Sequence, residues 1–175
     1  MPAQNVDFAK LSLRDALDLA VLIEEEAKER YEEFAHQMVS HHTPEAARFF
    51  RFMAENEEKH RADLAERRAK LFGREPGTVS REMLFDVEAP DYDEARVYMT
   101  ARSALATALR SEEKAWTFFK QALSAVKDAG VKSLFHDLLK EELTHQLLVK
   151  AELDKLPPDD EFKQEDFEDE PVGQD

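Results

Sequence analysis

The sequence predicts an all-α protein, a four-helix bundle with one long crossover between the second and third helices. The first reason is composition: the 175 residues include only 4 glycines and 7 prolines, and 36% of the residues are charged. Long stretches rich in Ala, Leu, Glu, Lys and Arg favour helix over sheet. The second reason is an apolar stripe with spacings of three and four residues, which recurs in four segments. A chain of this length can bury a core as one domain.

The first two helices are bounded by recognisable capping residues. Ser12 begins a capping box, and helical periodicity follows to about Ser40. Thr43 is a good N-cap and Pro44 suits the first helical position, so a second helix is expected to begin there. Gly73 is a typical C-terminal stop. We therefore expect an antiparallel hairpin with a short turn.

A similar pattern of caps and breakers bounds the third and fourth helices. Asp91 and Glu94 form another capping box, which predicts a third helix that runs to about Asp128. Gly130 is expected to break the chain, and a fourth helix is expected to end at Pro157. These two helices should form a second hairpin.

Residues 74–90, between the two hairpins, are too many for a tight turn. Helices of about 28 residues span about 42 Å, and a segment of this length reaches about 55 Å when it is extended. The segment can therefore return along the bundle and join the two hairpins. Its apolar residues Met83, Leu84, Phe85 and Val87 are expected to pack it against the helices.

The net charge of −15 argues against binding to nucleic acid or to anionic membrane surfaces. Residues 157–175 hold nine Asp or Glu and one Lys, so we expect an acidic, disordered tail after a helical domain of residues 1–156. The sequence has no cysteine, which excludes disulfides and thiolate metal sites. It lacks an apolar run of the about 20 residues that a membrane helix needs, and it lacks a signal-peptide pattern. A cytoplasmic protein is therefore expected.

Each apolar stripe is interrupted by a glutamate close to the middle of its helix. In the second and fourth helices a histidine follows one turn later, in the pattern Glu-x-x-His. Because the midpoints of antiparallel helices meet at the same height, we expect these side chains to converge on one buried place. The candidate residues are Glu24, Glu57, His60, Glu112, Glu142 and His145.

Four carboxylates in one buried place repel one another, and burial of a charge without a partner costs several kcal/mol. Their pKa values are expected to lie above the ordinary value of about 4.3. No Lys or Arg occupies the stripes near these positions. Two divalent cations would balance the four negative charges if both histidines stay neutral. The set therefore predicts a site for two metal ions.

Simpler explanations account for single members of this set but not for the whole set. One Glu-x-x-His motif is a weak signal, because most such pairs lie on a surface, and one glutamate in a stripe can reach solvent or pair with a lysine. Two motifs and two further glutamates, one per helix and all central, are not explained in that way. His36, His41, His42 and His136 lack such neighbours and are expected on the surface or in loops. Tyr31, two turns beyond the first glutamate, is either a core residue or a partner of a metal ligand.

The order Glu, Glu-x-x-His, Glu, Glu-x-x-His over four helices resembles the signature of ferritin-like di-iron carboxylate proteins. Residues Ile23–Tyr31 are similar to the first helix of the rubrerythrin family in particular, and the resemblance covers residues 12–156. The two halves of the sequence also echo each other, as a duplicated hairpin would. The matched residues are Glu24 with Glu112, Ala27 with Ala115, and Tyr31 with Phe119.

Two features depart from that family. Full-length rubrerythrins carry a rubredoxin-like iron domain held by cysteines, and this sequence has no cysteine. Rubrerythrins also tend to carry an additional glutamate one turn beyond the third-helix ligand, where this sequence has Ala115. The acidic tail does not resemble the short fifth helix of cage-forming ferritins, so the sequence does not support a storage shell.

The resemblance implies a centre of two iron ions, with manganese as the other metal that fits. It implies Glu57 and Glu142 as bridging ligands and Glu24 and Glu112 as terminal ligands, with no catalytic residue beyond the ligands. The implied function is Fe(II) oxidation coupled to reduction of O₂ or H₂O₂, in an oxidase or peroxidase that uses an external reductant. A homodimer is one oligomeric state that fits. The alternatives are a non-catalytic iron-binding or iron-delivery protein, and a structural helical module with a polar centre.

Overall fold

A computed structural model describes residues 6–40, 42–84 and 100–157 of the chain. These residues contain four α-helices, one short 3-10 helix and no strand, which confirms the all-α prediction. None of the helices in these ranges is long and apolar enough to cross a membrane. The α-helices are α1 (Leu13–Ser40), α2 (Pro44–Phe72), α3 (Ala101–Ala125) and α4 (Ala129–Lys155).

Helix α1 packs along α2, and α3 packs along α4, as the two predicted hairpins require. The caps of the first hairpin also agree with the sequence. Ser12 Oγ accepts a hydrogen bond from the backbone N–H of Asp15 at 3.1 Å. Thr43 precedes Pro44 at the start of α2, but its hydroxyl donates to the Met38 carbonyl (3.1 Å) instead of capping α2. Gly73 ends α2 with a φ of 56°, a left-handed conformation that favours glycine.

The start of α3 differs from the prediction. Asp91 and Glu94 lie outside the described residues, and the helix begins at Ala101 instead. Thr100 is extended, with φ −70° and ψ 160°, and its hydroxyl accepts a hydrogen bond from the Ser103 N–H. Thr100 is therefore the N-cap of α3.

The break between α3 and α4 also lies earlier than Gly130. Helix α3 ends at Ala125, and Val126 is extended. Asp128 caps α4 by accepting a hydrogen bond from the Val131 N–H at 2.9 Å, so Gly130 lies inside the first turn of the helix. A side-chain cap, and not the glycine, sets this boundary.

The first part of the crossover packs on α1, in agreement with the prediction. A 3-10 helix at Arg81–Leu84 contacts α1, and Leu84 is only 1% exposed. The Arg81 guanidinium lies 2.9 Å from the carboxylates of both Glu25 and Glu29 on α1. Phe85 and Val87, also predicted to pack here, lie outside the described residues.

The hydrophobic core consists of two clusters at opposite ends of the bundle. One is built around Leu17, Phe119 and Phe135, and the other around Phe50 and Leu105; all five side chains are fully buried. Burial of a large apolar side chain stabilises a fold by about 1.5–3 kcal/mol. In each α-helix, the residues of the two clusters lie on either side of the central glutamate, so the polar centre separates two apolar layers.

Candidate metal centre

The structure brings all six candidate side chains into the layer between the two apolar clusters. The four glutamates and His145 are buried, and His60 is partly exposed. One glutamate comes from α1 and one from α3, while α2 and α4 each supply a glutamate and a histidine. This is the convergence that the helix midpoints predicted.

Glu57 lies between the two histidines. Its Oε1 is 3.2 Å from His145 Nδ1, and its Oε2 is 3.9 Å from His60 Nδ1. The two imidazole rings are stacked, with centroids 5.3 Å apart and an angle of 13° between their planes. The two oxygens of one carboxylate therefore face two different histidines.

Each histidine also faces a second glutamate. His60 Nδ1 lies 3.9 Å from Glu24 Oε2, and His145 Nδ1 lies 3.6 Å from Glu112 Oε2. Three groups of ligand atoms result, with the atoms of each group within 4.8 Å of one another. The groups are Glu24, His60 and Glu141; Glu57, His60 and His145; and Glu112, Glu142 and His145.

Glu141 is the one member of these groups that the sequence analysis missed. Its Oε2 lies 3.6 Å from His60 Nδ1. The signal was present in the sequence, because Glu141 follows Leu138 by three residues and precedes His145 by four. Spacings of three and four residues define the apolar stripe of α4, so Glu141 fits it. Glu142 fits the same stripe equally well, and the Glu-x-x-His pattern points to Glu142 alone.

Tyr31 is both a core residue and a partner of a candidate ligand. Its ring is 1% exposed and packs against Phe34 and Phe50. Its hydroxyl donates a hydrogen bond to Glu112 Oε1. The Gln146 side-chain amide donates to the Glu112 backbone carbonyl at 3.4 Å. Tyr31 is therefore a core residue, and its hydroxyl also holds the carboxylate of Glu112, a candidate ligand.

Burial raises the pKa of the Glu57 carboxyl well above its ordinary value, and the carboxylates of Glu24, Glu112 and Glu142 raise it further. This is the expected result of placing like charges together away from water. In the metal-free protein, Glu57 therefore keeps its proton to a higher pH than an ordinary glutamate does.

Glu112 behaves in the opposite way, and the expectation of four raised pKa values is wrong for this residue. Burial alone would raise its pKa, but the nearby His145 ring, the Glu142 carboxyl and the hydrogen bond from the Tyr31 hydroxyl lower it below the ordinary value. Hydrogen bonds donated to a carboxylate stabilise its charged form. These neighbours therefore favour the charged form of Glu112 even though it is buried.

The two histidines also differ in pKa. Burial, followed by the charge of His145, lowers the pKa of His60. Burial would lower the pKa of His145 too, but the neighbouring Glu112 carboxylate raises it above the ordinary value. His145 is therefore the histidine that favours a proton when no metal is present.

The donor atoms fit a pair of metal ions. Among the described residues, Glu57 Oε1, His60 Nδ1, Glu141 Oε2 and His145 Nδ1 are buried and have no hydrogen-bond partner. Buried polar atoms in proteins nearly always have partners, so four such atoms aimed at one place require an explanation. Carboxylate oxygens and imidazole nitrogens are ligands that suit iron and manganese.

The remaining histidines that the structure describes lie away from this centre. His36, His42 and His136 are exposed, as predicted. His41 lies outside the described residues. None of these three described histidines belongs to the groups of ligand atoms above.

Comparison with known proteins supports the resemblance seen in the sequence. The model of the rubrerythrin family matches residues 15–153 of this chain. A crystal structure of an uncharacterised conserved protein from Magnetospirillum magnetotacticum MS-1 is 29% identical in sequence, with a TM-score of 0.71. That match covers 85% of this chain and 97% of the other. No match was found among curated proteins.

Proposed function

Because the chain belongs to the rubrerythrin family, we propose that it is a di-iron carboxylate oxidase or peroxidase. It couples the oxidation of Fe(II) to the reduction of O₂ or H₂O₂, and it is returned to the reduced state by an external reductant. Manganese is the other metal that the donor atoms would accept.

The position of Glu57 is the observation that carries this proposal. A carboxylate whose two oxygens face the Nδ1 atoms of two different histidines, at 3.2 and 3.9 Å, is placed to hold two ions together. On this proposal Glu24 and His60 hold one ion, and Glu112 and His145 hold the other. Glu142, which groups with the second ion, is proposed as the second bridge.

Charge supports the same proposal. Two divalent ions balance the four buried glutamates, and their binding competes with protons at Glu57 and His145, whose pKa values are raised in the metal-free protein. Metal binding should therefore release protons and stabilise the fold, since the free energy of binding adds to the free energy of unfolding.

The chain's own residues orient the centre and limit its access to water. When bound, two Fe(II) ions supply two electrons, which together with two protons reduce one H₂O₂ to two waters. Tyr31 holds Glu112 through its hydroxyl. The two apolar clusters exclude water above and below the centre. The His60 side chain is 26% exposed, so small oxidants can approach from its side.

A non-catalytic iron-binding or iron-delivery protein is the second candidate. The observation that favours it is the distribution of charge: the net charge is −15, and residues 157–175 hold nine acidic residues. Such a surface attracts cations. The two candidates differ in whether the bound iron turns over.

An anaerobic Fe(II) titration followed by separate addition of O₂ and of H₂O₂, with ascorbate as reductant, tests the proposal. We expect two Fe(II) per chain and repeated consumption of at least one oxidant. Glu112→Gln should lose this activity, while Glu113→Gln, which changes the exposed neighbouring residue, should keep it. A single round of oxidation would favour the iron-binding alternative. A protein that binds no iron would contradict both candidates.

A further inference from the structure

The Glu141 side chain has one oxygen in the metal centre and the rest of its surface at the edge of the bundle. The side chain as a whole is 36% exposed, yet Oε2 is buried and lacks a hydrogen-bond partner among the described residues. An ordinary surface carboxylate keeps both oxygens in water, because burial of an unpaired polar atom costs free energy. The orientation of this oxygen is therefore unexpected for a solvated residue.

The buried oxygen points to the ligand nitrogen of His60. Its distance to His60 Nδ1 is 3.6 Å, shorter than the 3.9 Å that separates this nitrogen from Glu24 and from Glu57. The ligand atoms of Glu24, His60 and Glu141 lie within 4.8 Å of one another. Glu141 therefore completes a group of three donors around one position.

The first hairpin, α1 and α2, has no carboxylate at the position that corresponds to Glu141. Glu141 directly precedes Glu142 on α4, and the residue that directly precedes Glu57 on α2 is Asn56. The extra carboxylate therefore serves the half of the centre that contains His60. The other half already has the closely grouped donors of Glu112, Glu142 and His145.

We infer that Glu141 is a seventh metal ligand, which donates Oε2 to the ion held by Glu24 and His60. This inference rests on the proposed metal centre and adds a residue to it. It makes the two metal positions unequal in ligands and in charge, with one additional carboxylate on the side that is open to solvent.

Calorimetric titration with Co(II) tests the assignment, since Co(II) takes the same oxygen and nitrogen donors as Fe(II). Wild type should bind two ions per chain. Glu141→Gln keeps the shape of the side chain. It should lower the affinity for one of the two ions by about tenfold or more and leave the affinity for the other ion unchanged. Asp137→Asn is the matched control, because it removes one exposed carboxylate one turn earlier on α4. If both variants weaken binding equally, Glu141 acts only through its charge and the assignment is wrong.

A double-mutant cycle identifies the ion concerned. The variant His60→Ala removes a ligand of the ion that Glu24 and His60 hold. In this variant, adding Glu141→Gln should not lower the affinity for the remaining ion. In His145→Ala, the remaining ion is the one that Glu24 and His60 hold, so adding Glu141→Gln should lower its affinity by about tenfold or more. The opposite result would overturn the assignment while leaving the two-metal proposal intact. A wild-type protein that binds no Co(II) and no Fe(II) would overturn both.

Discussion

The two helical hairpins contribute the same ligand pattern but build different halves of the centre. Each supplies one glutamate and one Glu-x-x-His motif. The His60 side chain in the first hairpin is 26% exposed, whereas the His145 side chain in the second is 4% exposed. A repeated sequence pattern has therefore produced one half that is open to solvent and one half that is sealed.

The residues that surround the ligands differ in the same sense. Tyr31 on α1 donates its hydroxyl across the bundle to Glu112, while the matched residue on α3 is Phe119, which has no hydroxyl and packs against Phe135. The sealed half thus has a fixed hydrogen-bond network, and the open half has the extra carboxylate of Glu141. The two hairpins supply the same types of candidate ligand, but the residues that contact those candidates differ between the hairpins.

Replacing Glu57, which lies between the two histidines, should have the largest effect on metal binding. Glu57→Ala should abolish paired metal binding, because one oxygen of Glu57 faces each histidine. Glu142→Ala should do the same if Glu142 is the second bridge. Bound metal per chain is the measurement, and Glu58→Ala, which changes a partly exposed neighbour paired with Arg61, is the control. Retention of two tightly bound ions in either variant would show that the residue concerned does not bridge.

The opposite pKa shifts of Glu57 and Glu112 predict opposite effects on the metal-free protein. Glu57 has a raised pKa, so its contribution to stability is complete below its unfolded pKa and is lost as pH rises through the folded pKa. Glu112 has a lowered pKa, so its contribution is present above the unfolded pKa and is lost as pH falls through the folded pKa.

At pH 7, metal-free Glu112→Gln should therefore be less stable than wild type, by about 1–3 kcal/mol, because charge-assisted hydrogen bonds are weakened. Metal-free Glu57→Gln should be as stable as wild type or more stable, because glutamine resembles the neutral form that the raised pKa of Glu57 favours and cannot take up a repelled charge. Chemical denaturation at pH 5 and pH 7 measures both effects. If both variants were less stable than wild type at pH 7, or both more stable, the opposite pKa shifts of Glu57 and Glu112 would be wrong.

A smaller effect is expected for Tyr31→Phe, which removes only the hydroxyl that donates to Glu112. The metal-free protein should lose about 1–2 kcal/mol of stability, and the pKa of Glu112 should rise because a donor to its charged form is gone. Thermal melting between pH 4 and pH 7 should show the loss of stability on acidification at a higher pH than in wild type. An unchanged melting profile would mean that the hydroxyl does not support Glu112 in solution.

The smallest effect is expected from deletion of residues 158–175, which follow the second hairpin and lie outside the described residues. Their composition predicts no contribution to the core, so the free energy of unfolding should change by less than about 0.5 kcal/mol. Metal stoichiometry should also be unchanged. A large fall in melting temperature would contradict this prediction, while slower iron uptake at unchanged stability would favour an iron-collecting role for the tail.

The sequence predicted the bundle and the convergence of the six candidates because both depend on helical periodicity. With 3.6 residues per turn, a glutamate inside an apolar stripe must face the core, as Glu24 and Glu112 do. The N-terminal starts of α3 and α4 were predicted less well, because several residues near each start can cap a helix. Thr100 and Asp128 are the N-caps of α3 and α4, whereas the sequence predicted a break at Gly130 and a capping box at Asp91, which lies outside the described residues.

The sequence by itself determined which residue types meet at the centre, since period and position along each helix are local properties of the chain. Only the tertiary structure decided how each one is supported. Tyr31 and Glu112 are separated by 81 positions, and their hydrogen bond adds to the effects of His145 and Glu142 that lower the Glu112 pKa, which the sequence predicted to be raised. Glu141 became a candidate ligand because α2 and α4 pack so that His60 lies beside it. Hydrogen bonds and electrostatic interactions act over a few ångströms, so they depend on helix packing that no local pattern specifies.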